Sequence, residues 1–217
     1  MISENFKKIL KEIPKNVILV VAAKNRSIEE IEEVISLGAQ VIGENYVQEA
    51  ERKFNVIKNK IKWHLIGHLQ KNKVKKAVKI FDMIETLDSV ELAYLLDKEC
   101  KKINKIMPVL VEVNIAYELE KTGVLPKDLK NFINEVKGFS NLKLSGLMTM
   151  GPLVKNPEDI RPYFRETRRI FEDIKNTLNS IDWIYLSMGM SDTYKIAIEE
   201  GANIVRIGTA IFGPRKM

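Results

Sequence analysis

The chain has one cysteine, two histidines and no long apolar run, and each shortage closes off a class of function. The lone Cys100 excludes an internal disulfide and fits a reducing compartment. It shares a helical stripe with Leu92, Leu96 and Ile103, which reads as a buried structural thiol rather than a nucleophile. His64 and His68 lie four apart, which in an extended strand is ~13 Å, too far to chelate one metal. No stretch approaches the ~20 apolar residues needed to span a bilayer. The polar start, Met1-Ile2-Ser3-Glu4-Asn5, lacks the hydrophobic segment of a secretory signal. A cytoplasmic protein without metal or membrane contact is therefore expected. Linkers, low-complexity segments and internal repeats are also missing, so residues 1–217 read as a single domain.

The net charge is +6, which points to anionic partners: phosphate-bearing small molecules or nucleic acid. The basic stretch Lys71, Lys73, Lys75, Lys76 and Lys79 interleaves with Val74, Ala77, Val78 and Ile80 at helical spacing. A solvated outer helix face explains it better than a nucleic-acid surface.

Apolar runs alternate with amphipathic helical stretches along the whole chain. The runs fall near 17–23, 41–43, 63–67, 83–87, 108–114, 143–149, 183–188 and 203–208, and read as strands. Ser27 with Glu30 forms a capping box for a helix closed by Gly38. Val47, Ala50, Phe54 and Ile57 line the next helix, and Asp88 with Glu91 is the expected cap of another. Pro126 suits a first turn before Leu129, Ile133 and Val136. A longer helix carries Ile160, Phe164, Phe171, Ile174 and Leu178, and a last one runs from Asp192 to Gly201. Eight βα units predict parallel strands with helical crossovers, and eight is the number that closes a (β/α)₈ TIM-type barrel. Strand count alone leaves a doubly wound open sheet as the alternative. The chain after Thr209 is too short for a full eighth helix; an extra amino-terminal helix bearing Phe6, Ile9, Leu10 and Ile13 is expected to cover the gap.

In such a barrel, chemistry sits at the carboxyl ends of the strands. The first of these ends in Lys24, after the apolar run Val17-Ile18-Leu19-Val20-Val21-Ala22-Ala23. On its own, a lysine there more often snorkels to water than takes part in chemistry. Asn45, Ile66-Gly67-His68, Asn114 and Met148-Thr149 close later strands. Ser187-Met188-Gly189-Met190-Ser191-Asp192 and Ile207-Gly208-Thr209 follow the last two strands, the usual phosphate position of this barrel. Arg206 lies inside an apolar strand and needs either an acidic partner or a ligand. A lysine able to form a Schiff base, a phosphate cradle and an arginine for a ring nitrogen together suit pyridoxal 5′-phosphate (PLP).

Several long blocks carry a resemblance to a known family. They are Gly43-Glu44-Asn45-Tyr46-Val47-Gln48-Glu49, Trp63-His64-Leu65-Ile66-Gly67-His68-Leu69-Gln70-Lys71-Asn72-Lys73, and Val113-Asn114-Ile115-Ala116 with Lys121 and Gly123. Gly146-Leu147-Met148-Thr149-Met150, Leu186-Ser187-Met188-Gly189-Met190-Ser191 and Val205-Arg206-Ile207-Gly208-Thr209-Ala210-Ile211-Phe212-Gly213 complete the set. Over nearly its whole length the chain resembles the pyridoxal phosphate homeostasis protein family, related to the barrel domain of alanine racemase. The resemblance implies a PLP-binding barrel of fold type III. It implies Lys24 as the Schiff-base lysine, with Asn45 and Ile66 bordering the cofactor ring and Arg206 at the pyridine nitrogen. Ser187, Met188, Gly208 and Thr209 would hold the phosphate.

Two positions depart from the family pattern. Ala23-Lys24-Asn25 replaces the more frequent Ser-Lys-Thr, removing nearby hydroxyls. Thr193 stands where an acidic residue is common, and a threonine can still cap the helix that follows. An arginine at the pyridine nitrogen disfavours the protonated ring and weakens the cofactor as an electron sink. With four residues following Gly213, no second racemase domain supplying an opposite-face base is expected. The implied role is storage, buffering and delivery of PLP, with apo PLP-dependent enzymes as recipients and no turnover of its own; a monomer is expected. The alternative is a racemase-like enzyme acting on amino acids. Lys121 and Arg26, expected near the barrel mouth, are candidate secondary cation sites for receiving or passing on PLP.

Overall fold

The computed structural model describes residues 1–178 and 180–214. Helix α1 (Ile2–Glu12) comes first. Then β1 (Ile18–Ala22), α2 (Ile28–Ser36), β2 (Val41–Glu44), α3 (Val47–Ile57), β3 (Lys62–Leu65), α4 (Val74–Ile80) and β4 (Met83–Leu87) alternate. The second half continues with α5 (Val90–Lys102), β5 (Met107–Glu112), α6 (Leu129–Val136), β6 (Leu142–Met148), α7 (Arg161–Leu178), β7 (Tyr185–Ser187), α8 (Tyr194–Glu199), β8 (Ile204–Ile207) and α9 (Thr209–Phe212). All eight strands run parallel in chain order, and β8 pairs with β1 to close the barrel. The open-sheet alternative is thereby excluded.

Parallel strands are buried on both faces, which is why they read as continuous apolar runs. Successive side chains still alternate between the barrel interior and the helix layer. In β1, Ile18, Val20 and Ala22 join the interior cluster, with Val41, Met83, Leu110, Met148 and Ile204 from other strands and Ile66 just past the end of β3. Leu19 and Val21 pack outward beneath the helices. Gly43 faces inward, and a Cβ there would lie 2.6 Å from Val20 Cγ1 and 2.8 Å from Ile66 Cδ1. The missing side chain makes room for its interior neighbours.

The helix layer follows the sequence reading in most places. Ser27 Oγ accepts from the Glu30 amide at 3.2 Å, and Glu30 Oε2 accepts from the Ser27 amide at 2.8 Å, completing the capping box. Cys100 is buried beside Leu92 and Leu96, and burial pushes its thiol up to about 11. Ile103, placed on the same stripe by sequence, is exposed. Helix α5 is capped by Ser89, whose Oγ accepts from the Leu92 amide at 3.3 Å, and not by Asp88. Asp88 instead faces His68 Nδ1 at 3.2 Å. Thr193 occupies the cap position of α8 without a capping bond; its Oγ1 accepts from the Met190 amide at 3.1 Å, tightening the loop behind it.

Helix α9 has four residues, and α1 fills the space beside it. Phe6 is fully buried, Asn5 Nδ2 donates to the Ile211 carbonyl at 3.1 Å, and Tyr194 Oη donates to Glu12. Leu10, expected on the buried stripe, is exposed. No helix among the described residues is long and apolar enough to cross a membrane.

Candidate functional site

Strand parity carries the inward face of β1 past its end. Ala22 points into the barrel, so Lys24, two residues on, points the same way at the mouth. Asn45 stands in the same relation to Gly43 on β2. These residues line a recess of about 230 Å³ together with Ile66, Arg206, Gly208 and Thr209. Six residues expected at the site from sequence therefore meet around one cavity, although they come from four separate βα units.

Lys24 Nζ donates to Tyr46 Oη at 3.2 Å and lies 4.7 Å from the centre of that ring. Sequence reasoning did not single out Tyr46. Its only signal was adjacency to Asn45 at the end of β2.

Arg206 rises from β8 into the floor of the recess and is 3% exposed. Its guanidinium donates to Ser187 Oγ at 2.6 Å and to the Thr149 carbonyl at 2.8 Å. Glu85 Oε2, from the opposite strand β4, lies 3.9 Å away. Ser187 Oγ also donates to Glu85 Oε2 at 2.6 Å, and Glu85 Oε1 is 2.7 Å from His64 Nδ1. Burial alone would raise the Glu85 carboxyl strongly. Bonds and charge from His64, Arg206 and Ser187 outweigh it and hold that carboxyl below its usual range. Burial draws Arg206 down from its ordinary value, opposed by Glu85 and Glu112. Arginine nonetheless remains a cation in proteins. Arg206 thus has the acidic partner that one reading of the sequence asked for, and its side chain also lines the cavity.

Two expected phosphate residues lie elsewhere. Ser187 is fully buried below the recess, with its hydroxyl held between Arg206 and Glu85. Met188 is one step out of phase on the strand and packs in the helix-side core. The loop reaches the recess only at Met190, Ser191 and Asp192. Ser191 Oγ accepts from the Ala210 amide at 3.1 Å, joining the loops that follow β7 and β8. Gly189 allows the approach: its φ is +93°, and a Cβ there would come within 2.5 Å of Ala197 Cβ.

The remaining candidates disperse. Arg26 borders the recess, but its guanidinium donates to the Gly213 carbonyl and stacks 5.0 Å from the Phe212 ring. It is a buried tie between the loop after β1 and the end of α9. Lys121 belongs to a larger neighbouring recess of about 440 Å³, where it donates to the Gly151 carbonyl at 3.1 Å. That recess shares only Met150 and Met190 with the first, so size does not identify the chemistry. His68 lines a third recess with Gln48 and Lys73.

These features define a class: a closed parallel barrel with an amine-bearing residue at the mouth of its first strand and an arginine-floored cavity beneath it. A sequence model of the alanine racemase N-terminal domain matches residues 1–216. The pyridoxal phosphate homeostasis protein of Aquifex aeolicus is 43% identical over 199 residues, covering 91% of this chain and 87% of the relative. That of Synechocystis is 34% identical and covers 97% of each. Among solved structures, PipY of Synechococcus elongatus, determined with PLP bound, superposes with a TM-score of 0.91 at 30% identity, covering 98% of this chain and 100% of that one. The chain belongs to the pyridoxal phosphate homeostasis protein family, within the wider alanine racemase N-terminal domain family.

Proposed function

We propose that the chain binds PLP in the Lys24–Arg206 recess and serves in storing, buffering and delivering it. The observation that carries this reading is the convergence of an amine, a buried guanidinium and the loops bearing Ser191, Gly208 and Thr209 on one cavity. Each matches a part of the cofactor: aldehyde, ring nitrogen and phosphate. PLP bound to PipY, a relative of the same fold, supports the assignment.

In this reading Lys24 would hold the cofactor through its aldehyde, a reversible attachment that water or another amine would release. Asn45 and Ile66 would border the ring, and Arg206 would face its nitrogen. The two loops would hold the phosphate through Gly208 and Thr209, as expected, with Ser191 in place of Ser187 and Met188. Arg206, already a cation, opposes protonation of the ring nitrogen and so weakens carbanion chemistry. The family's homeostasis name and this electrostatic bias support a non-catalytic role for a cytoplasmic, single-domain monomer that supplies apo-enzymes. The test is turnover: purified protein loaded with PLP leaves D- and L-amino acids unchanged, whereas sustained racemisation would install the racemase-like alternative.

A further inference from the structure

A buried charged cluster lies behind Lys24, on the helix side of the barrel wall. Lys53 on α3 is 5% exposed and Glu44 at the end of β2 is fully buried. Lys53 Nζ donates to Glu44 Oε1 at 2.6 Å, to Glu49 Oε1 at 2.7 Å and to the Ala23 carbonyl at 2.7 Å. Three acceptors match the three protons of an ammonium group. Glu49 Oε1 also accepts from the Asn25 amide at 2.7 Å. The peptide groups on both sides of Lys24 are therefore gripped by two α3 side chains spaced i, i+4, which share one helix face.

The backbone at this point needs holding. Asn25 has φ +59°, in the left-handed region that non-glycine residues enter only locally. A buried lysine–glutamate pair gives little net stability compared with apolar residues of the same size, because both charges lose their hydration. Glu44 shows that loss directly: its Oε2 has no hydrogen-bond partner among the described residues. The cluster's distinctive product is geometric, since it fixes where the chain turns and thus where the Lys24 side chain emerges.

We propose that Lys53 and Glu49, braced by Glu44, are positioning residues that clamp the backbone on either side of Lys24 and aim its amine into the recess. The proposal rests on the reading of Lys24 as the cofactor-binding amine and extends it to residues outside the cavity. None of the three lines the recess. They act through Ala23 and Asn25.

The test combines two readouts on the full chain. One is the acetylation rate of Lys24 in PLP-free protein, measured by mass spectrometry after limiting acetic anhydride, with the exposed Lys76 as internal reference. The other is the dissociation constant for added PLP, from absorbance. Lys53→Met with Glu44→Gln removes the grip on the Ala23 carbonyl without leaving Glu44 as an unpaired buried charge, and takes from Glu49 the cation that braces it. Glu49→Ala is the milder variant, releasing the Asn25 amide and one of the three acceptors of Lys53. Lys53→Arg restores a cation, and Trp183→Phe, in the core beneath α7, controls for lost stability.

The expected result for the double variant is a Lys24 acetylation rate at least threefold higher relative to Lys76 and PLP affinity at least tenfold weaker. Glu49→Ala shifts both in the same direction, Lys53→Arg recovers part of each, and Trp183→Phe moves neither. Folded double and Glu49→Ala variants with both readouts within twofold of wild type would overturn the proposal. So would equal changes in Trp183→Phe. If wild type itself takes up no PLP, the earlier reading fails, and the acetylation rates still decide whether the clamp exists.

Discussion

Arg206 and Glu85 stand on diametrically opposed strands of the barrel, β8 and β4, with their charged groups 3.9 Å apart and Ser187 Oγ bonded to both. The contact crosses the full width of the barrel interior and forms the floor of the recess. Removing one partner of a buried ion pair strands the other, at a cost of about 3–5 kcal/mol. Glu85→Ala should lower unfolding stability by about that amount in urea titrations and weaken PLP binding at the same time. Its pH signature follows from the depressed carboxyl. Stability from Glu85 is present above the ordinary carboxylate value of 4.5 and is lost as pH falls through the lower folded-state value. The stability gap between wild type and Glu85→Gln should therefore narrow below about pH 4.

Glu44 predicts the opposite trend. Burial pushes its carboxyl up from 4.5 to about 7, against the pull of Lys53. Between those values the folded chain holds a proton that the unfolded chain releases, so stability falls as pH rises. Glu44→Gln removes this loss. Its melting temperature relative to wild type should rise between pH 5 and pH 8; a difference that stays flat or falls would assign the effect to another group.

Within the loop after β7 proposed to hold the phosphate, Ser191 reaches the recess and Ser187 does not. A hydrogen bond to a charged group is worth about 1.5–3 kcal/mol, so Ser191→Ala should weaken PLP about tenfold or more. Binding of pyridoxal, which lacks the phosphate, should be unchanged. Parallel titrations of the two ligands check this; equal losses for both would place Ser191 away from the phosphate.

The barrel was legible because its strands are buried on both faces and stand out as unbroken apolar runs. Lys24, Asn45, Ile66, Gly208 and Thr209 could be brought to one cavity from sequence because each sits at or beside a strand end, and Arg206 because a charge stands out inside an apolar strand. Ser187 and Met188 do not line the recess, for reasons of depth and parity. Tyr185 and Ser187 face inward, Ser187 sits one layer below the mouth, and Met188 turns outward. The network beneath the recess left no trace in local spacing. Its members are 21, 102 and 19 residues apart along the chain, and only barrel closure joins them. Glu44, Glu49 and Lys53 lie close in sequence, yet their role depends on Ala23 and Asn25 of the neighbouring unit.

The most direct measurement of the central claim is borohydride reduction of the protein after PLP addition, followed by peptide mass mapping, for wild type and Lys24→Ala. The expected result is a visible absorbance band in wild type that disappears on reduction, leaving the pyridoxyl mass on Lys24 alone; Lys24→Ala shows neither. Absence of the band in wild type, or a pyridoxyl group on a different lysine, would contradict the assignment of Lys24 as the cofactor's anchor.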